Sequence, residues 1–211
     1  MRNFHLSYVL IALVTLLSCK EAQEEKTIKP IDNSEIEQLF LKDIELRELD
    51  ARTDTVILEN YDKVHRNRIF ELLATGEVKS PLDKFRAALI LQHTAGKLCE
   101  GELGSVSPEN YLLAYHLSSA ALKELQAVND TASLNKENFP RMVALNYDRF
   151  LLYTEGYQKY GTQFVFDAAT GASLLAPIDT TLATDEERKK LNVEPLHELL
   201  SKYKMKPMPA N

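Results

Sequence analysis

Residues 80–93 read SPLDKFRAALILQH, and this stretch decides the fold. Ser80 carries a side-chain oxygen that accepts from a backbone N–H of a first helical turn, and Pro81 brings the fixed φ that suits that turn. Behind them Leu82, Phe85, Ala88 and Leu89 fall on one face of a 3.6-residue period. The segment therefore predicts an amphipathic helix that ends near Gly96.

The same start signal returns twice downstream. Ser107-Pro108 opens a long helix to about Val128, and Asn138-Phe139-Pro140 opens one to about Thr154. Upstream, Tyr61 to Ala74 predicts a helix stopped by Gly76, a residue that tolerates the left-handed conformation beyond a helix end. Before it, Ile36, Leu39, Phe40, Ile44 and Leu49 recur at helical spacing. That first helix is capped by Asn33 or by Ser34, the latter with Glu37 in a capping box. Between the two helices, Ala51 to Asn60 contains the β-favouring Thr55-Val56-Ile57 and is expected to be a connector. After Gly156 the pattern changes. Gln163 to Phe166 and Ser173 to Ile178, divided by Asp167-Ala168-Ala169-Thr170-Gly171, predict a small β-hairpin. Thr184 followed by three acidic residues caps a short helix, and Pro195 opens a last one.

The fold class is accordingly mainly α, built of antiparallel helix hairpins with a small C-terminal β-hairpin. Ala87, Ala88, Ala114, Ala120 and Ala121 let these helices approach closely, in a manner similar to the helix pairs of tetratricopeptide and Sel1 repeats, although no fixed period runs along the chain.

At the N-terminus, Arg2 precedes an apolar stretch from Leu6 to Leu17 that leads into Leu16-Leu17-Ser18-Cys19. It is shorter than the roughly 20 residues a bilayer span needs. This arrangement resembles a bacterial lipoprotein signal, which implies cleavage before Cys19 and lipidation of Cys19. The expected organisation is a signal peptide over 1–18, a lipidated flexible tether over 19–32, one helical domain over 33–203 and a loose tail over 204–211. Residues 20–32, KEAQEEKTIKPID, hold too little apolar surface to join a core and reach about 20 Å as a coil.

The full chain of 211 residues has 25 basic and 31 acidic side chains, for a net charge of −6. Loss of Arg2 with the signal leaves 24 against 31, or −7. That balance argues against a nucleic-acid partner and against electrostatic attachment to anionic lipid. The expected partners are the membrane, through lipid on Cys19, and a protein or glycan of the envelope. With Cys19 lipidated, Cys99 is the one remaining cysteine and no intrachain disulfide forms. His65, His93, His116 and His197 lack paired ligand spacing, and Gly101 and Gly104 form no phosphate loop, so neither metal nor cofactor is expected.

Four sets of polar residues stand against this apolar background: Gln92-His93, Asp148-Arg149, Gln158 with Tyr160-Gly161-Thr162-Gln163, and Arg188. Gln92 lies three residues after Leu89 and seven after Phe85, and Asp148 lies three after Leu145 and four before Leu152. Both sit on apolar helix faces, where an unpartnered polar group costs about 1–3 kcal/mol. Asp148 therefore needs a partner in Arg149, Arg188 or a backbone N–H. One reading makes these residues an internal network that staples the Tyr160–Gln163 loop onto the helices. The other makes them a pocket, with His93 as proton-transfer or ligand-orienting group, Asp148 as its carboxylate, and Arg149, Thr162 and Gln163 as binders of an anionic or sugar-like ligand.

The order of these segments, with Pro108-Glu109-Asn110-Tyr111-Leu112-Leu113-Ala114 between the first two, resembles an uncharacterised bacterial family with Gln-His, Asp-Arg and Gln-Arg-Tyr-Gly-Thr-Gln boxes. The resemblance covers about residues 50–200. It supplies candidate positions, Gln92, His93, Asp148, Arg149, Gln158, Tyr160, Thr162 and Gln163, without a reaction. Lys159 stands where the family has arginine, which keeps the charge and loses a bidentate contact. The leading expectation is a membrane-anchored helical binding or interaction module; the alternative is a small envelope hydrolase or sugar-modifying enzyme centred on His93 and Asp148.

Overall fold

A computed structural model describes residues 30–48, 55–93, 96–99, 102–105 and 107–208. The signal, Cys19 and most of the tether lie outside them. The described chain is mainly helical: α1 (Ser34–Glu48), α2 (Thr55–Ala74), α3 (Pro81–Gln92), α4 (Pro108–Ala127), α5 (Thr131–Lys136), α6 (Phe139–Glu155), α7 (Asp185–Lys190) and α8 (Leu196–Lys202). Two antiparallel hairpins interrupt it, β1 (Gly96–Cys99) with β2 (Glu102–Ser105) and β3 (Phe164–Asp167) with β4 (Ala172–Leu175). Among the described residues no helix is long and apolar enough to cross a membrane.

Helix α3 is the hub, packing against α1, α2, α4 and α6. Its start is fixed by a full capping box. The Ser80 hydroxyl accepts from Asp83 N at 3.0 Å, and the Asp83 carboxylate accepts from Ser80 N at 3.2 Å. Asp83 also accepts from Asn33 N at 2.9 Å, which ties the start of α1 to that of α3. One face of α3 buries Ala87, Ala88, Ile90 and Leu91 against Ile36, Ile69, Leu72 and Ala114. Its other flank buries Phe85 against Leu122, Leu125, Phe139 and Met142. The Phe85 and Phe139 rings stack at 4.1 Å. A third cluster, Ala144, Tyr160, Leu175, Ile178, Val193 and Leu199, joins the C-terminal segment to α6.

Several local expectations are changed by the structure. Helix α2 begins at Thr55, so Thr55-Val56-Ile57 is helical; β preference is a weak, context-dependent tendency that helix extension overrides. Asn33, not Ser34, caps α1, its Oδ1 accepting from Glu35 N at 2.9 Å. Helix α3 stops at Gln92, and the β1–β2 hairpin follows within the next few residues. A short helix, α5, capped by Asp130, stands between α4 and α6, where the sequence signals predict only a connection. The tail from Lys204 is docked, not loose, over its first residues. Leu175 N donates to Lys204 O at 2.9 Å and Lys206 N to Leu175 O at 2.8 Å.

Candidate functional site

The site begins with a buried carboxylate in the last turns of α6. Asp148 has no exposed surface. Its Oδ1 accepts from Lys159 N at 2.8 Å and Tyr160 N at 2.7 Å, and its Oδ2 from Thr162 N at 2.9 Å and Thr162 Oγ1 at 2.8 Å. Four donors thus fill both oxygens. Burial pushes the carboxyl above its ordinary range, and the N–H groups of Tyr160 and Thr162, the Thr162 hydroxyl and Lys159 N oppose the rise.

Gln158 completes the loop from within. Its Nε2 donates to Gln163 O and Ala176 O, each at 2.9 Å, and its Oε1 accepts from Gln163 N at 2.8 Å. The buried Arg188 of α7 donates to Tyr160 O and, at 3.0 Å, to Lys159 O. Gly161 sits at φ +87, and a Cβ there would meet Leu199 Cδ1 at 2.9 Å. Only glycine allows the loop this conformation and this approach. The Tyr160 phenol is buried and pushed up to about 12, principally by burial.

A second set of contacts runs from this loop to the N-terminal helices. Gln163 Nε2 donates to Thr162 Oγ1 at 3.0 Å, while Gln163 Oε1 accepts from Arg149 Nε at 3.2 Å. Arg149 Nη1 donates to Gln92 O at 2.9 Å, at the end of α3. The guanidinium also lies 5.9 Å from the centre of the Tyr111 ring, which stacks on Tyr153. The next residue, His93, is the C-cap of α3. Its Nδ1 lies 2.8 Å from Asp43 Oδ2, although the two atoms do not align as a hydrogen bond.

The structure thus joins His93 to Asp43 of α1, while the carboxylate of Asp148 is filled by the Lys159–Thr162 loop. Seven of the eight expected positions, Gln92, Asp148, Arg149, Gln158, Tyr160, Thr162 and Gln163, are joined in a line by hydrogen bonds, and His93 adjoins them only as the chain neighbour of Gln92, its own side chain facing Asp43. Asp43 is 1 % exposed and is held by Arg47 Nη1 at 2.8 Å, whose Nη2 in turn reaches Asp62 Oδ1 at 2.7 Å. His65 of α2 is buried in the same region, its charged form disfavoured first by burial and favoured by Asp43 and Asp62. His93 is likewise held below the ordinary imidazole range, first by burial, against the pull of Asp43.

Asp43, Arg47, Asp62 and His65 are absent from the sequence-derived set. One signal was present. Asp43 follows Ile36 by seven residues and precedes Leu46 by three, so it occupies the apolar face of α1 as Gln92 and Asp148 occupy those of α3 and α6. Among the described residues no group of three His, Cys, Asp or Glu side chains is arranged to hold a metal ion.

Chemically, the line divides into a spent half and an open half. Asp148, Gln158 and Arg188 are buried and committed to building the loop. His93 and Arg149 are half-buried, and their remaining nitrogens, Nε2 and Nη2, have no hydrogen-bond partner among the described residues. No protein-family model, curated protein or solved structure matches the chain.

Proposed function

We propose that the chain is a lipid-anchored helical binding module of the bacterial cell envelope, tethered through Cys19 and receiving its ligand at the end of α3. One observation carries the binding reading: Asp148 accepts four hydrogen bonds from the loop it positions. A carboxylate so engaged has no lone pair left to orient an imidazole or activate a water. Its work is to hold Gln163 where Gln163 holds Arg149. The result is a rigid support for a half-buried polar face, which is what preorganised binding requires. The anchor rests on the Leu16-Leu17-Ser18-Cys19 sequence and the acidic, polar tether behind it.

Two measurements test the two halves of this reading. Radiolabelled palmitate is expected to enter the wild-type chain and not Cys19→Ser; incorporation into both rules out Cys19 as the anchor. A thermal-shift screen of the chain against envelope sugars, peptidoglycan fragments and nucleotides is expected to yield a stabilising ligand whose effect is lost in Arg149→Gln. A ligand that stabilises both chains equally removes the proposed face from the binding reading.

A further inference from the structure

Residues 202–208 read KYKMKPM, three lysines and no acidic residue in a chain whose net charge is −6. The segment is docked along β4. Met205 bridges Leu175 in parallel, with Leu175 N donating to Lys204 O at 2.9 Å and Lys206 N to Leu175 O at 2.8 Å. On its other edge β4 pairs with β3, Phe164 opposite Leu175 and Phe166 opposite Ser173. Tyr203 is extended, so side chains alternate from there along the segment. Tyr203 and Met205 therefore share a face with Phe164, Phe166 and Leu175, and the Phe164 and Tyr203 rings meet edge to face at 4.8 Å. Lys204 and Lys206 take the opposite face.

The apolar face is covered at its root and bare at its end. Leu175 is buried and Met205 packs in the third cluster, whereas Phe164 and Tyr203 are each 40 % exposed and Phe166 is 74 % exposed. No other Phe or Tyr among the described residues is as exposed as Phe166. The cations are exposed as well. Lys202 meets Glu198 only at 3.9 Å, and Lys204 has no carboxylate within salt-bridge reach among the described residues. Asp167, at the end of β3, is held below the ordinary carboxylate range first by the Thr170 hydroxyl, then by Ala169 N, and last by Lys206. Rings on one face and lysines on the other make an interfacial element, whose rings enter the acyl boundary while its cations sit among the phosphates.

We infer that the ribbon formed by β3, β4 and residues 203–206 docks on an anionic lipid surface, with Phe164, Phe166 and Tyr203 in the bilayer interface and Lys202, Lys204 and Lys206 against lipid phosphates. Charge and reach select this occupant. Net negative charge opposes attachment of the domain as a whole, but screening confines each interaction to about 8–10 Å, so the lysine cluster decides the sign where it lies. Eleven peptide steps lead from Cys19 to Pro30, at most about 40 Å of chain. A lipid on Cys19 thus keeps the domain beside the bilayer without fixing which face it turns there, and the ribbon supplies that orientation. The inference rests on the lipid-anchor half of the reading above and is independent of the ligand at the end of α3.

The chain contains no tryptophan, so Phe166→Trp supplies a single fluorescent reporter at an exposed position. The full chain carrying it is mixed with vesicles of phosphatidylcholine and phosphatidylglycerol, with and without brominated acyl chains. The expected result is a blue-shifted emission that bromine quenches by about half or more. A reporter at the exposed Val64 of α2, Val64→Trp, is expected to stay unquenched. Adding Lys204→Gln and Lys206→Gln, or using phosphatidylcholine alone, should each cut the quenching at position 166 about threefold or more. Equal quenching at positions 64 and 166, or none at 166 in a chain that floats with the vesicles, overturns the inference and leaves the anchor standing. Undiminished quenching in phosphatidylcholine alone overturns the anionic surface. Quenching at 166 in a chain that takes up no palmitate keeps the ribbon and removes the anchor, and a chain that neither floats nor is quenched loses both. A blue shift that grows with protein concentration and ignores bromine assigns the ribbon to a second copy of the chain, which also overturns the inference.

Discussion

Asp148 Oδ1 accepts from Tyr160 N at 2.7 Å, so a helix residue and a loop residue twelve positions later are locked by a bond neither element could make alone. Together with the bonds from Lys159 and Thr162, it converts a glycine-containing segment into a fixed platform under Arg149. Loop geometry and site geometry are therefore one problem in this protein.

The first prediction concerns that platform. Asp148→Ala strips the acceptors from three backbone N–H groups and one hydroxyl, most of them buried. Each unsatisfied group costs about 1–3 kcal/mol, so a loss of about 3 kcal/mol or more is expected in urea unfolding. Asp148→Asn should recover only part of this, because its NH2 group faces donors. A loss under about 1 kcal/mol in Asp148→Ala would show that the loop holds without the carboxylate.

Gly161→Ala tests the same platform through sterics. The position has φ +87, and the added methyl would lie 2.9 Å from Leu199 Cδ1 and 3.0 Å from Ile178 Cδ1. Strained backbone and crowding together cost about 1–3 kcal/mol, read as a lowered Tm. Gly76→Ala has the same sign of φ but nothing within 4 Å of the new methyl, so it should cost less. Equal losses at the two positions would mean that close approach at Gly161 is not what matters.

In the core, Phe85→Ala removes a ring stacked 4.1 Å from Phe139 at the meeting of α3, α4 and α6. A loss of about 3–5 kcal/mol is expected by denaturant unfolding. Phe85→Leu keeps most of the volume and should lose less than half of that. A loss near 1 kcal/mol in Phe85→Ala would show that the site collapses around the vacancy.

Where sequence signals were local, they translated directly into structure. The Ser80-Pro81 start is legible because both halves of its capping box lie within four residues. The same holds for Thr184 with Glu187. Thr55-Val56-Ile57 misled because three residues of β preference weigh little against the helix they extend. The candidate site was legible in part for a related reason. A polar residue on an apolar stripe announces burial, which singled out Gln92 and Asp148. It does not announce a partner. His93 meets Asp43 across fifty positions of chain, a distance over which spacing carries no information, and the sequence reading paired it instead with Asp148, fifty-five positions away on the other side.

The pH dependence of stability supplies the last prediction. His65 and His93 are both held below the ordinary imidazole value of 6.5, in each case first by burial. Asp43 and Asp62 oppose the effect at His65, where Arg47 and Lys42 reinforce it; Asp43 opposes it at His93, where Arg47 and Arg149 reinforce it. Below 6.5 the unfolded chain therefore binds protons that the folded chain refuses, and acid favours unfolding. Stability should be complete above about pH 7 and fall as the pH drops through the folded-state values, by about 1.4 kcal/mol for each unit of depression. Carboxylates such as Glu35 and Asp167, lowered from 4.5 and 3.8, act in a separate and more acidic window. Urea unfolding of the wild type at about pH 7.5 and about pH 5 should show the fall, and His65→Gln and His93→Gln should each flatten it. A wild-type profile level across that range would mean that neither imidazole resists its proton in the folded chain.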